Sequence, residues 1–214
     1  MMSSNGQLTT LICFALKEEA APFRKIAGGK PGVEILVTGV GRKNARSAIE
    51  KSLAERKPAR VLTCGLAGGL ADDLKIGDIR IETEDAALRE KLAAAGAKPA
   101  KFFCAERVAV TAEEKRLLRG ATGAEVVEME SAEIQAVCRE RQIPCATVRV
   151  VSDLVNEDLP LDFNALAGPD MSLDYGKLAW ALAKSPGKIG ALRSLQKQVE
   201  FAAEKLALLL GTII

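Results

Sequence analysis

Short unbroken apolar runs alternate along this chain with stretches whose apolar residues recur every three to four positions. The first pattern is that of a buried strand, the second that of a helix with one face against a core. Residues 11–16 form the first run, and a helical pattern starts at about Glu18. Residues 33–38 read as a second strand, entering the turn Gly39-Val40-Gly41. A helix over 44–55 puts Ala45, Ala48, Ile49 and Leu53 on one side, and Pro58 marks its end. Residues 60–64 read as a buried strand, after which Gly65-Leu66-Ala67-Gly68-Gly69 is expected to turn the chain. Residues 76–82 read as a short strand, 86–95 as a helix closed by Gly96, and 102–110 as extended. Thr111-Ala112-Glu113-Glu114 has the form of a capping box, opening a helix expected to stop at Gly120. A short strand over 125–129 precedes a helix over 131–141 with Ile134, Val137 and Cys138 on one face. Pro144 opens a strand over 145–151, and from about Leu173 the chain reads as mostly helical.

Strands and helices alternating at this spacing predict a mostly parallel, twisted sheet with helices on both faces. There is no internal repeat and no low-complexity linker, so residues 1–214 are expected to form a single domain. Ligands of such folds sit beyond the carboxyl ends of the strands. That rule selects residues 17–19, 39–42, 65–69 and 152–153, with 128–130 as a fifth segment between a strand and a helix.

Composition narrows the chemistry. With six Phe, one Tyr and one Trp, the core must be mainly aliphatic. A net charge of +2, with scattered basic residues, gives no footprint for a nucleic-acid partner. There is no histidine, which excludes a Ser-His-Asp triad, a Cys-His pair and any His-ligated metal. Cys13, Cys64, Cys104, Cys138 and Cys145 lack C-x-x-C spacing and read as buried free thiols of a reducing compartment. Met1 to Gln7 is polar, without the regions of a signal peptide, and the apolar stretch 206–214 is far shorter than a membrane span. A cytoplasmic location is therefore expected.

Without histidine, carboxylates become the main candidates for proton transfer. Asp153 ends an apolar strand, where a partly desolvated carboxyl can act as a general acid; helix capping or pairing with Arg149 is the structural alternative. Glu128 and Glu130, two apart in an apolar context, would share a strand face and could grip the vicinal hydroxyls of a sugar; helix capping is again the alternative. Lys17-Glu18-Glu19 offers a glutamate as base for a water, or simply a solvated first helical turn. Gly39-Val40-Gly41 is half a dinucleotide fingerprint, but Asn44 stands where its last glycine belongs. Like Gly65 to Gly69, it allows a close backbone approach without naming a ligand.

Taken together these blocks resemble the nucleoside phosphorylase and nucleosidase superfamily. Cys64 to Leu70 with Leu74 to Ile79 is similar to its signature stretch, Val126 to Ala132 to its ribose-binding segment, and Val148 to Asp153 to the strand bearing its catalytic aspartate. Thr38 to Gly41 resembles its first glycine turn and Ala15 to Glu19 its acidic N-terminal segment. The resemblance implies a three-layer α/β/α fold with a central twisted mixed sheet, and cleavage of the bond between a purine and a ribose. It implies that Asp153 protonates N7 of the departing base and that Glu19 activates water. Substrate contacts are expected from Val40, Gly41, Ala67, Gly68, Glu128, Met129, Glu130 and Ser152. It implies no cofactor and no metal. Inorganic phosphate is an alternative acceptor to water, with Arg42 as its candidate ligand.

One branch is especially similar. Leu159-Pro160, then Ser185 to Leu192, resembles the hopanoid-associated phosphorylases, which act on adenosylhopane. Leu66 stands where many relatives carry Ser or Thr, and residues 107–110 lack an aromatic for adenine. These two features fit a second expectation, a nucleoside- or adenine-binding protein that keeps the fold without turnover. A homo-oligomer, dimer or larger, is expected as for the family. Lys184, Lys188, Arg193 and Lys197 beside Ile189, Leu192, Leu195 and Val199 add the expectation of peripheral membrane contact, with a core-packing helix as the alternative.

Overall fold

Successive residues of a strand point to opposite faces, and the first strand sends its side chains into two different cores. Ile12 and Phe14 join one cluster, with Phe23, Leu62, Val148, Val150 and Leu206. Leu11 and Cys13 join the other, with Ile49, Leu53, Val61, Ile134 and Val137. A sheet buried on both faces needs a helical layer on each, and the result is a three-layer α/β/α fold.

The computed structural model describes residues 9–168, 171 and 175–214. Met1 to Gln7 and the expected start of the helical tail at Leu173 lie outside the described residues. In chain order the elements are β1 (Thr10–Phe14), α1 (Lys17–Ala27), β2 (Val33–Val37), α2 (Arg42–Glu55), β3 (Arg60–Gly69), β4 (Ile79–Thr83), α3 (Ala86–Ala94) and β5 (Lys98–Pro99). There follow β6 (Phe102–Cys104), α4 (Ala112–Thr122), β7 (Val126–Glu128), α5 (Ser131–Glu140), β8 (Cys145–Asp153), α6 (Phe163–Leu166), α7 (Tyr175–Lys184) and α8 (Ile189–Ile213).

The strand order is β2-β1-β3-β8-β4-β5, with β7 joining β3 and β6 joining β7. β2, β1, β3 and β8 run parallel, while β4 is antiparallel to β8 and β7 antiparallel to β3. The sheet is therefore mixed. Helices α1, α3 and α8 cover one face, and α2 and α5 the other. The apolar stretch at the end of the chain belongs to the first layer: Leu206, Leu209, Leu210 and Ile213 are buried there. Among the described residues no helix is long and apolar enough to cross a membrane.

Several boundaries differ from the sequence reading. The glycines after Cys64 do not turn the chain: β3 continues through Gly69, paired with β8 from Val61↔Cys145 to Gly68↔Asp153. Neighbouring strands supply the ladder bonds that override the weak strand preference of glycine. β8 likewise runs two residues further, to Asp153. Helix α4 passes through Gly120 and ends at Gly123, whose φ of 67° forms the left-handed cap, with its N–H donating to the Arg119 carbonyl. The expected extended run over 102–110 is a strand only over Phe102–Cys104, and the short strand Lys98–Pro99 was not anticipated.

Candidate active site

The parallel strands end on one side of the sheet, and all five segments selected by the strand-end rule meet there around one cavity of about 390 Å³. Glu19, Val40, Leu66, Ala67, Gly68, Glu128, Met129, Glu130, Ser152 and Asp153 all line it. Segments beyond these close the mouth: Val108 and Ala109 before α4, Leu159, Phe163 and Met171 after β8, and Leu195 and Val199 of α8. Asn164 ties two of these segments together. Its amide accepts from the Val108 N–H at 2.8 Å and donates to the Val108 carbonyl at 2.9 Å.

One end of the cavity is built on a buried charge cluster. Arg149, 1% exposed on the α2/α5 side of β8, donates to Glu128 at 2.5 Å and to Glu130 at 3.1 Å. A buried guanidinium must be paired, and burial opposes its charge, but the surrounding glutamates raise its pKa further. Glu128 is saturated by protein groups. It accepts from the Glu130 and Ser131 N–H groups at 2.9 and 2.8 Å, from the Ser131 hydroxyl at 2.7 Å, and from Arg149. Burial alone would raise its pKa, but Arg149 and these donors hold it below the usual carboxylate value. Glu128 thus borders the cavity but serves as an anchor for Arg149 and the start of α5, not as the free half of a pair gripping a sugar. Glu130 accepts the Gly41 N–H at 2.9 Å and keeps further lone pairs toward the cavity wall it lines. Its pKa is raised, by burial first, against Arg149 and with the charge of Glu128 adding to the effect.

Glu19 enters the same cluster from α1. It accepts from the Ala15 and Leu16 N–H groups at 3.2 Å each and from the Leu66 N–H at 3.3 Å. Burial pushes its pKa up to about 7, Arg149 opposing and Glu130 reinforcing the rise. The glycine at 65 is explained here. A Cβ at that position would collide with the Arg149 guanidinium and lie 3.1 Å from Glu19 Oε2, and the φ of +151° disfavours other residues. The close approach that Gly65 permits is therefore to the protein's own side chains. Among the described residues, Arg149 Nε has no hydrogen-bond partner.

Asp153 lines the same cavity from the tip of β8, where a register shift beside Ala67 and Gly68 sets it against the glycines of β3. The Ser152 hydroxyl donates to Asp153 Oδ2 at 2.9 Å. Its ionic partner is not Arg149 but Lys115 of α4, whose Nζ is 2.5 Å from Asp153 Oδ1. Lys115 is fully buried and also donates to the Leu154 and Glu157 carbonyls at 2.8 and 2.9 Å. Nothing in the sequence reading marked Lys115. The available signal was its place in α4, three residues before Leu118 on the inward face of an otherwise charged first turn.

Other expected site residues sit differently. Gly41 supports Glu130 through its N–H and borders an adjoining depression. Arg42 lies in that depression, outside the cavity, and holds Glu133 through two N–H groups at 3.0 and 2.7 Å. As the first residue of α2, next to the first turn of α5, it meets a carboxylate before any ligand. Of the apolar residues read as an outward face in the tail, Leu195 and Val199 instead line the cavity. Phe163 provides an aromatic wall that 107–110 lack.

A family model described as the phosphorylase superfamily matches residues 85–172, the stretch that carries Lys115, Glu128, Glu130, Arg149 and Asp153. The chain is 28% identical to the 5′-methylthioadenosine/S-adenosylhomocysteine nucleosidase of Shewanella pealeana, over 65% of this chain and 76% of that one. It is likewise 28% identical to the nucleosidase of the same name from Glaesserella parasuis, over 62% and 72% of the two chains. Among solved structures it is similar to the futalosine hydrolase of Helicobacter pylori, with a TM-score of 0.74, 17% identity and 97% of each chain covered. A Helicobacter pylori 5′-methylthioadenosine/S-adenosylhomocysteine nucleosidase matches with a TM-score of 0.75, 17% identity and 98% of each chain covered. The family model, the relatives and the fold point the same way: over these stretches the chain is similar to the phosphorylase superfamily.

Proposed function

We propose that this protein is an enzyme that cleaves the N-glycosidic bond of a purine nucleoside, with water as the acceptor. The observation that carries the reading is that one cavity is lined both by Asp153, paired with Lys115, and by Glu19, Glu128 and Glu130, clustered around Arg149. Breaking an N-glycoside leaves positive charge on the sugar and negative charge on the base. Glu130, supported by the Gly41 N–H, binds the ribose hydroxyls and stabilises the developing oxocarbenium ion. Asp153 protonates N7, so that the base leaves neutral. Glu19, with a carboxyl near neutrality, takes the proton of the attacking water.

Charge distribution favours water over phosphate. The sugar end sets three glutamates against one arginine, a poor host for a phosphate dianion, and Arg42 is held by Glu133 outside the cavity. The lining favours an apolar group on the ribose 5′ carbon: Leu159, Phe163, Met171, Leu195 and Val199 are uncharged, and Arg107, which also lines the cavity, is paired with Glu114. Adenosylhopane, suggested by the resemblance of the tail, satisfies that chemistry.

The test is adenine release from adenosine, methylthioadenosine, adenosylhomocysteine and adenosylhopane, with and without phosphate. Release without phosphate, fastest with an apolar 5′ group, is expected. Strict dependence on phosphate would replace hydrolysis by phosphorolysis. Adenine binding by folded protein with no release would leave the binding-protein reading in its place.

A further inference from the structure

Lys115 is an expensive residue for the fold to hold. Its side chain is fully buried, and an isolated ammonium there would cost several kcal/mol of desolvation. It meets three acceptors, one for each N–H: Asp153 Oδ1, the Leu154 carbonyl and the Glu157 carbonyl. Two of the three are main-chain oxygens that remain satisfied whether the nitrogen is an ammonium or an amine, since an amine keeps two N–H groups. The third is the carboxylate that the proposed reaction needs in its protonated form. The contact therefore has to do more than pair two charges.

From this geometry, and resting on the glycosidase reading above, we infer that Lys115 is a positioning residue that supplies the proton delivered through Asp153. The pair carries one transferable proton and no net charge in either tautomer, ammonium–carboxylate or amine–carboxylic acid. Asp153 faces the cavity, so a seated purine strips water from it. Desolvation raises the affinity of a carboxylate for protons and lowers that of an amine, and both effects move the proton from nitrogen to oxygen. One N–H bond of Lys115 breaks, its electron pair stays on nitrogen, and an O–H bond forms on Asp153. That O–H bond then breaks to N7 as the C1′–N9 electron pair passes into the purine. Adenine leaves neutral, and water captures C1′ while losing its proton to Glu19. Asp153 remains a carboxylate beside an uncharged amine, which regains its proton from solvent when the cavity empties.

Several other charged groups on the segments packed around the pair are otherwise engaged. The Glu157 carboxylate accepts the Leu154 N–H at 3.1 Å, and Asp158 the Ala112 N–H at 2.7 Å. On α4, Glu114 pairs with Arg107 at 2.5 Å and accepts the Val110 N–H at 2.7 Å. Across the cavity Arg149 is committed to Glu128 and Glu130, with Glu19 beside it.

The experiment is the pH profile of adenine release by wild type, Lys115→Met and Lys115→Arg, on whichever nucleoside of the panel above wild type turns over fastest. In the wild type two groups share the transferable proton. In Lys115→Met only a lone buried carboxyl carries the proton, and the alkaline limb moves down by about one pH unit or more. Arginine keeps the charge and the N–H donors but cannot release a proton, so Lys115→Arg is expected to stay at least tenfold slow at neutral pH, about 1.4 kcal/mol in the barrier. Should Lys115→Met not fold by circular dichroism, Lys115→Gln, which keeps two N–H donors, takes its place. An alkaline limb that stays put or moves up, or wild-type rates in Lys115→Arg, would overturn the inference while leaving glycoside cleavage standing. Failure of the wild type to release adenine from any of the four would end both.

Discussion

The two ends of the cavity spend charge in opposite ways. At the sugar end three glutamates surround one arginine; burial opposes their negative charge, and Arg149 and backbone N–H groups favour it. At the base end one aspartate meets one lysine, and the pair is neutral as a whole. The first arrangement suits a centre that becomes positive. The second suits a group that must hand over a proton: the pair is neutral before transfer, and the negative charge left behind lasts until the amine regains a proton from solvent. The contrast also separates two kinds of buried carboxylate: Glu128 spends every lone pair on the protein, while Glu130 and Asp153 keep some for a ligand.

The sharpest way to break the sugar end is to remove its only cation. Arg149→Met leaves Glu128 and Glu130 buried without a partner, and should lower unfolding stability by about 3–5 kcal/mol in chemical denaturation. A loss under about 1 kcal/mol would mean that the cluster is not held by charge pairing. Glu19 gives the next largest effect, and it depends on pH. Its carboxyl rises from 4.5 to about 7 on folding, so the stability that goes with its protonated form is complete below pH 4.5 and lost as pH rises to 7. Glu19→Gln should therefore melt like wild type at pH 4 and gain on it across pH 4.5–7, up to about 3 kcal/mol above neutrality, while losing hydrolytic rate. A pH-independent difference would contradict the raised pKa. The smallest effect is expected outside the cavity: Arg42→Ala should change adenine release by less than about twofold, because it breaks only an exposed pair with Glu133. A large, phosphate-dependent loss there would return Arg42 to the role of anion ligand.

Much of this plan was legible in the chain. Apolar runs and helical spacing located the principal layers, and the strand-end rule brought five separated segments to one cavity. Asp153 and Glu19 stood out because acids at the ends of apolar runs need a reason. What was missed depends on contacts between distant residues. Lys115 lies among Glu113, Glu114 and Arg116, a composition that reads as a solvated turn, and its burial arises only when the segment after β8 folds over it. Arg149 looked like a partner for Asp153, four residues away. In a strand, however, residues an even number apart share a face without touching, and Arg149 reaches across to β7 and α5 instead. The glycines after Cys64 read as a turn because their demand for space comes from Arg149 and Glu19, which approach from other elements.

The account turns on Asp153 as the group that delivers the proton to the departing base. The direct measurement is adenine release by Asp153→Asn beside wild type, both shown to be folded by their melting curves, on the nucleoside that wild type cleaves fastest. Asparagine fills the same space and cannot donate an acidic proton, so the rate should fall by about 10²- to 10⁴-fold with adenine binding retained. An Asp153→Asn protein that releases adenine within a few-fold of wild type would contradict the mechanism at its centre.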